Sequence, residues 1–167
     1  MLKEEIPCVA ARALSKSLEK SGSILYSGHE SIRQHDVYFM GLNPGGEGGM
    51  SIGCRLKEVL SQDQNAFMDE DWSNNARSYK PGEAPLQRRV RWLFEHLGFD
   101  PRTVPSTNLI FYRSRDASGV SSAQADECWP VHDALLSIVK PHLILVHGNS
   151  SFSPYAYLHS KFGGEQC

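Results

Sequence analysis

Residues 37–50, VYFMGLNPGGEGGM, place four apolar side chains in a row, break at Asn43-Pro44, and then supply four glycines within five positions. An apolar run without polar alternation is the pattern of a strand covered on both faces, as in parallel sheets inside α/β domains. In such sheets ligands sit beyond the carboxyl ends of the strands, where the connecting loops leave a crevice. Glycine reaches positive φ and lets the backbone approach a ligand with no Cβ in the way. Gly45, Gly46, Gly48 and Gly49 therefore offer either a bare surface of N–H donors or a flexible strand-to-helix connection.

Outward from this stretch, apolar periodicity predicts the remaining elements. Residues 4–20 repeat apolar side chains at helical spacing (Ile6, Val9, Ala10, Ala13, Leu14, Leu18), and residues 24–26 read as a short strand before the strand at 37–42. Leu56, Val59 and Leu60 suggest a short helix over 54–60, followed by a long polar loop over 62–85 of the kind that is functional or mobile. Pro85 opens a helix whose stripe Leu86, Val90, Leu93, Phe94 and Leu97 is closed by Gly98. TNLIFY (107–112) reads as a second apolar strand, 114–122 as loop, 123–139 as a long helix stopped at Lys140-Pro141, and HLILVHGN (142–149) as a third buried strand. The order β, α, α, β, α, β implies a parallel sheet with helices on both faces, joined by right-handed crossovers.

With 167 residues, 40% hydrophobic and 22% charged, the chain is expected to form one domain over 1–167, monomeric and cytoplasmic. No apolar run approaches the roughly 20 residues that span a bilayer, and no charged n-region precedes an apolar h-region at the start. Cys8, Cys54, Cys128 and Cys167 are scattered without a CxxC or a close Cys/His pair, so neither disulfides nor a metal site are signalled. His29, His35, His96, His132, His142 and His159 have no partner at a telling spacing. A net charge of −2 excludes a wholly basic nucleic-acid binder but not a local basic face. Lys80, Arg88, Arg89, Arg91, Arg102, Arg113 and Arg115 outnumber the acids among them and form either such a face or a solvated helix and loop.

GLNPG (41–45), TNLIFYRSRD (107–116) and ADECWPVHDALLSIVKPHLILVHGN (125–149) stand in the order and at the separation of the motifs of the uracil-DNA glycosylase superfamily, and the chain resembles its Gly-x-Asn-Pro-Gly branches, the single-strand-selective and mismatch-specific types. The resemblance implies a three-layer α/β/α domain with a four-stranded parallel sheet. It also implies base-excision repair of DNA, by hydrolysis of the N-glycosidic bond of uracil or a related deaminated base, without a cofactor. The partner would be DNA, single-stranded or damaged. Asn43 would be the catalytic residue; Gly41, Leu42, Pro44, Gly45, Gly46 and Asn108 would border the base, and Ile52 stands where relatives stack an aromatic ring on it. Arg88, Arg89, Arg113 and Arg115 are candidates for DNA phosphates. Tyr112 or Phe39 would replace the missing stacking ring unless both are core. Cys128 matches one ligand of the iron–sulfur branches, but Tyr112 stands at its strand partner, so no cluster is expected. The superfamily's last motif, a His-Pro-Ser-like loop after a fourth strand, has no counterpart before Cys167, so against the resemblance the chain is expected either to be truncated before the last strand or to have lost that function. His147 either substitutes for that histidine or packs at the layer interface.

Breaking the glycosidic bond leaves an oxocarbenium-like sugar and an anionic base, so a catalyst must hold a water beside the sugar and donate hydrogen bonds to the departing base. An Asn43 amide orients a water through its carbonyl oxygen but is no true base. An Asn108 amide presents a donor beside an acceptor, complementary to uracil and not to cytosine, provided it is held against flipping. A different class of function remains open: a nucleic-acid or nucleotide-binding module of the same fold without hydrolysis. A phosphate cradle is a weaker reading, since no Gly-Lys-Ser/Thr and no paired carboxylates for Mg²⁺ are present.

Overall fold

A computed structural model of the chain describes residues 1–46, 48–74, 77–115, 119–148 and 150–163. In chain order the elements are α1 (Ile6–Ala13), β1 (Val37–Gly41), α2 (Ile52–Leu56), β2 (Trp72–Asn74), β3 (Arg77–Tyr79), α3 (Pro85–Leu97), β4 (Ser106–Asn108), α4 (Ser122–Val139), β5 (Leu143–Val146) and α5 (Pro154–Phe162). β1, buried at every residue, lies between β4 and β5 and pairs parallel with both. It is central because its unbroken apolar sequence can be covered from either side. Tyr38 and Met40 enter a core built with α1, α2 and α4, while Val37 and Phe39 enter a second core with Val90 and Phe94 of α3. The result is a mixed α/β domain in which helices flank a three-stranded parallel sheet, a layout compatible with α/β/α layers.

Several boundaries differ from the sequence reading. α1 ends at Ala13, and residues 14–20 turn tightly, with Ser17 N–H bonding Leu14 O (2.8 Å) and Lys20 N–H bonding Ser17 O (3.0 Å). Ser17 is held by a tertiary partner instead, its hydroxyl donating to Glu127 at 2.8 Å. α2 begins at Ile52, earlier than periodicity suggests, because the Ser51 hydroxyl caps it by accepting from Cys54 N–H (3.3 Å). The loop over 62–85 contains the antiparallel pair β2 and β3. β4 keeps regular pairing only over Ser106–Asn108, where 107–112 reads as one strand. Residues 22–26 run antiparallel along the outer edge of β4 through isolated pairs, Gly22 with Tyr112 and Leu25 with Thr107, in place of the short strand expected at 24–26. β5 stops at Val146, and Asn149, the last residue of the expected strand, lies outside the described residues, as does Cys167. α5 has no counterpart in the reading of periodicity; its start is a Ser153-Pro154 cap, the Ser153 hydroxyl accepting from Ala156 N–H at 3.2 Å.

Among the described residues the parallel sheet has three strands, one fewer than the resemblance implies. No helix among them is long and apolar enough to cross a membrane.

Candidate functional site

The carboxyl ends of the three parallel strands bring three side chains into one row. Asn108, the last residue of β4, is paired with Gly41, the last of β1. On the other side His147 extends the β5 ladder, its N–H donating to Met40 O at 3.0 Å. A Cβ at Gly41 would collide with Asn108 Oδ1 and lie 2.6 Å from His147 Nε2. Glycine is thus needed here for close approach: its missing side chain is the space into which the amide and the imidazole converge. Tyr26, from the segment beyond β4, completes the row, close enough to the Asn108 side chain for the two to interact.

The floor of the row is aromatic. Phe39, one layer below Gly41 on the same face, is stacked by His147 (5.3 Å between centroids, 17° between planes) and met edge-on by Phe67 (5.7 Å) and Phe94 (5.3 Å). Tyr26 touches Phe67 at 6.0 Å. Burial disfavours the imidazolium and lowers the His147 pKa, so the ring is neutral near pH 7. Burial likewise raises the Tyr26 phenol to about 12, against the pull of the Arg113 charge, while Glu70 pushes it further up and Arg55 opposes. The row is therefore uncharged and combines donors with acceptors above apolar rings.

Asn43 follows two residues after Gly41. Its Nδ2 donates to Pro44 O (2.9 Å) and to Ser114 Oγ (2.8 Å). A carbonyl accepts only, so the amide cannot be turned over without setting two oxygens against each other. Both amide hydrogens are used, and among the described residues Oδ1 is left as the free acceptor.

The glycine loop is tied at both ends. Ser114 N–H donates to Pro44 O (3.2 Å), Arg113 Nη1 donates to Gly45 O (2.6 Å), and farther on Ser21 donates to Gly48 O and Gly22 N–H to Met50 O (3.1 Å). Gly46, Gly48 and Gly49 hold φ of 84°, 76° and 95°, a region that favours glycine. The described residues on either side of position 47 are thus held to neighbouring segments by hydrogen bonds.

Of the residues singled out from the sequence, Gly41 and Asn108 are brought together, and Asn43, Pro44, Gly45 and Gly46 form the adjoining turn. Leu42 is half-buried against the larger core. Ile52 is 0% exposed, and as the first residue of α2 it belongs to that core; with its side chain fully enclosed it has no face to stack on a base, which corrects the role expected for it. Phe39 and Tyr112 are core as well, though Phe39 forms the site floor. Arg113 is spent partly on Gly45 O, Arg115 is exposed beyond it, and Arg88 and Arg89 lie on the outer face of α3, away from the row. Sequence reasoning missed Tyr26, Phe67 and Ser114. Ser114 lies within a quoted motif, but Tyr26 and Phe67 reach the site only through tertiary folding. An open hollow lined by Gln34, His35, Asp36, Phe99, Val139, Lys140 and His142 lies at the opposite end of the sheet. Among the described residues no group of three or more His, Cys, Asp or Glu side chains could hold a metal.

The chain matches no model of a known protein family, and no curated protein matches it. The chemistry of the site therefore rests on its own geometry.

Proposed function

We propose that the chain is a uracil-DNA glycosylase-like hydrolase that releases uracil or a related deaminated base from single-stranded or damaged DNA. The observation that carries this reading is the Asn43 amide, pinned with its oxygen as the remaining acceptor, next to a neutral row of Asn108, His147 and Tyr26 above Phe39. Asn43 Oδ1 orients the attacking water towards the sugar carbon. The bond from that carbon to the base nitrogen breaks, its electron pair leaves with the base, and the water loses a proton to solvent. Asn108 reads the base with its amide. His147, neutral and therefore able to carry a hydrogen on one ring nitrogen, donates to an oxygen of the departing base if that hydrogen is on Nε2. Orienting groups of this kind act on the transition state, so the reading predicts a separation of rate from binding.

The test is a strand-cleavage assay on a uracil-containing single-stranded oligonucleotide. Asn43→Ala is expected to slow release by a factor on the order of 10²–10⁴ while affinity for the oligonucleotide stays nearly unchanged. Asn108→Ala is expected to reduce both release and the preference for uracil over cytosine, by about 1–3 kcal/mol for the lost polar contact. Uracil release that survives Asn43→Ala overturns the role of that residue. A second reading, binding without hydrolysis, is favoured by the enclosed Ile52, which offers no ring to a flipped base; oligonucleotide binding with no release by the unaltered chain would select it.

A further inference from the structure

α3 buries Gln87, Val90 and Phe94, so its outer face is set by the helical repeat. Opposite the buried stripe stands Trp92, with Arg88 and Arg89 one turn earlier on either side of it and His96 one turn later. Trp92 is 58% exposed, whereas Trp129 is 5% exposed and packs in the larger core. More than half of the Trp92 indole is left in water, on the side of α3 opposite the packing that Phe94 and Val90 provide.

Three further features define that use. His96 lies against the indole, 4.0 Å between centroids at 32°, and its Nδ1–H donates to Trp92 O at 2.8 Å, so one face of the indole is supported while the other stays open. The Arg88 and Arg89 guanidinium groups are exposed and make no ion pair among the described residues. Arg91 is turned aside to Gly82 O (3.4 Å), and Glu95 is the only carboxylate on the helix, so the face is net positive. An open aromatic platform flanked by unpaired arginines offers what a flexible polyanion with exposed rings requires: phosphate contacts on both sides of a stacking surface. A purely acidic peptide would use the arginines and leave the indole idle.

We propose that the outer face of α3 docks single-stranded nucleic acid, with Trp92 stacking on a base and Arg88 and Arg89 holding the adjoining phosphates. This surface is separate from the strand-end row, and its role does not depend on the chemistry proposed there. It is tested by equilibrium binding of the whole chain to a fluorescein-labelled oligo(dT), read by anisotropy and by the protein's own tryptophan emission. Binding is expected to quench that emission and to weaken as salt rises. Trp92→Ala should weaken it by roughly tenfold or more, and the quench should vanish in Trp92→Phe. Arg88→Glu with Arg89→Glu should lower affinity and flatten the salt dependence. The strand-cleavage assay run on the same Trp92 and Arg88/Arg89 variants reads failed excision separately from failed docking. Unchanged affinity in Trp92→Ala, a quench that persists in Trp92→Phe, or equal affinity for poly-glutamate would each overturn the proposal.

Discussion

Gly45 and Gly46 are neighbours in sequence with different reasons to be glycine. Gly46 holds φ at 84°, so Gly46→Ala strains the backbone whatever the space around it and is expected to cost on the order of 1–2 kcal/mol. Gly45 is not at positive φ, and a Cβ there would meet nothing within 4 Å. Gly45→Ala should therefore leave stability within about 0.5 kcal/mol of the unaltered chain yet reduce uracil release, because the added methyl holds a base away from the backbone. Thermal unfolding and the strand-cleavage assay, run on both variants, separate the two effects; full activity in Gly45→Ala would remove the backbone surface from the mechanism. At this scale Gly41, Asn43 and Asn108 were singled out by resemblance to a motif, and the structure brings Gly41 and Asn108 side by side at the strand ends. Ile52 was misread because position in a motif does not reveal which way a side chain points.

α4 runs unbroken to Val139 in spite of Pro130, and it ends where Lys140 adopts φ 49° and ψ 52°. This is the sole non-glycine residue at positive φ among those described. A left-handed residue with a Cβ costs roughly 1–2 kcal/mol, and glycine is the usual solution at a helix C-terminus. Lys140→Gly should accordingly stabilise the chain by about 1 kcal/mol, raising Tm by roughly 2–4 °C for a domain of this size. A lower Tm would show that the lysine side chain contributes more than its strain costs. Element existence was readable for β1, α3, α4 and β5, where apolar periodicity is long and the capping residues agree. It failed for β2 and β3, three residues each, which are too short to carry a pattern.

His132 ties α4 to the sheet inside the larger core. Fully buried on α4, it lies against Phe111 (4.7 Å) and Trp129 (5.6 Å), and its Nε2–H donates to Leu109 O at 3.0 Å, which leaves Nδ1 as the acceptor facing the Tyr38 hydroxyl. Burial lowers its pKa to about 4 from 6.5. Between those values the unfolded chain takes up a proton that the native chain refuses, so stability is present above pH 6.5 and is lost as pH falls towards 4. The loss between pH 7 and pH 5 is about 2 kcal/mol from this group, with His147 adding in the same direction. Urea midpoints at the two pH values measure it, and His132→Gln should flatten the difference; an undiminished slope in that variant would assign the effect elsewhere. The sequence alone determined the parallel α/β class, a strand covered on both faces and the polar residues at its carboxyl end, because backbone pairing and apolar burial act over a few residues and leave a periodic trace. Only the tertiary structure decided that Tyr26, Asn108 and His147 share one row over Gly41. Their meeting depends on strand order and on the space left by a missing Cβ, and neither is written in any single stretch of chain.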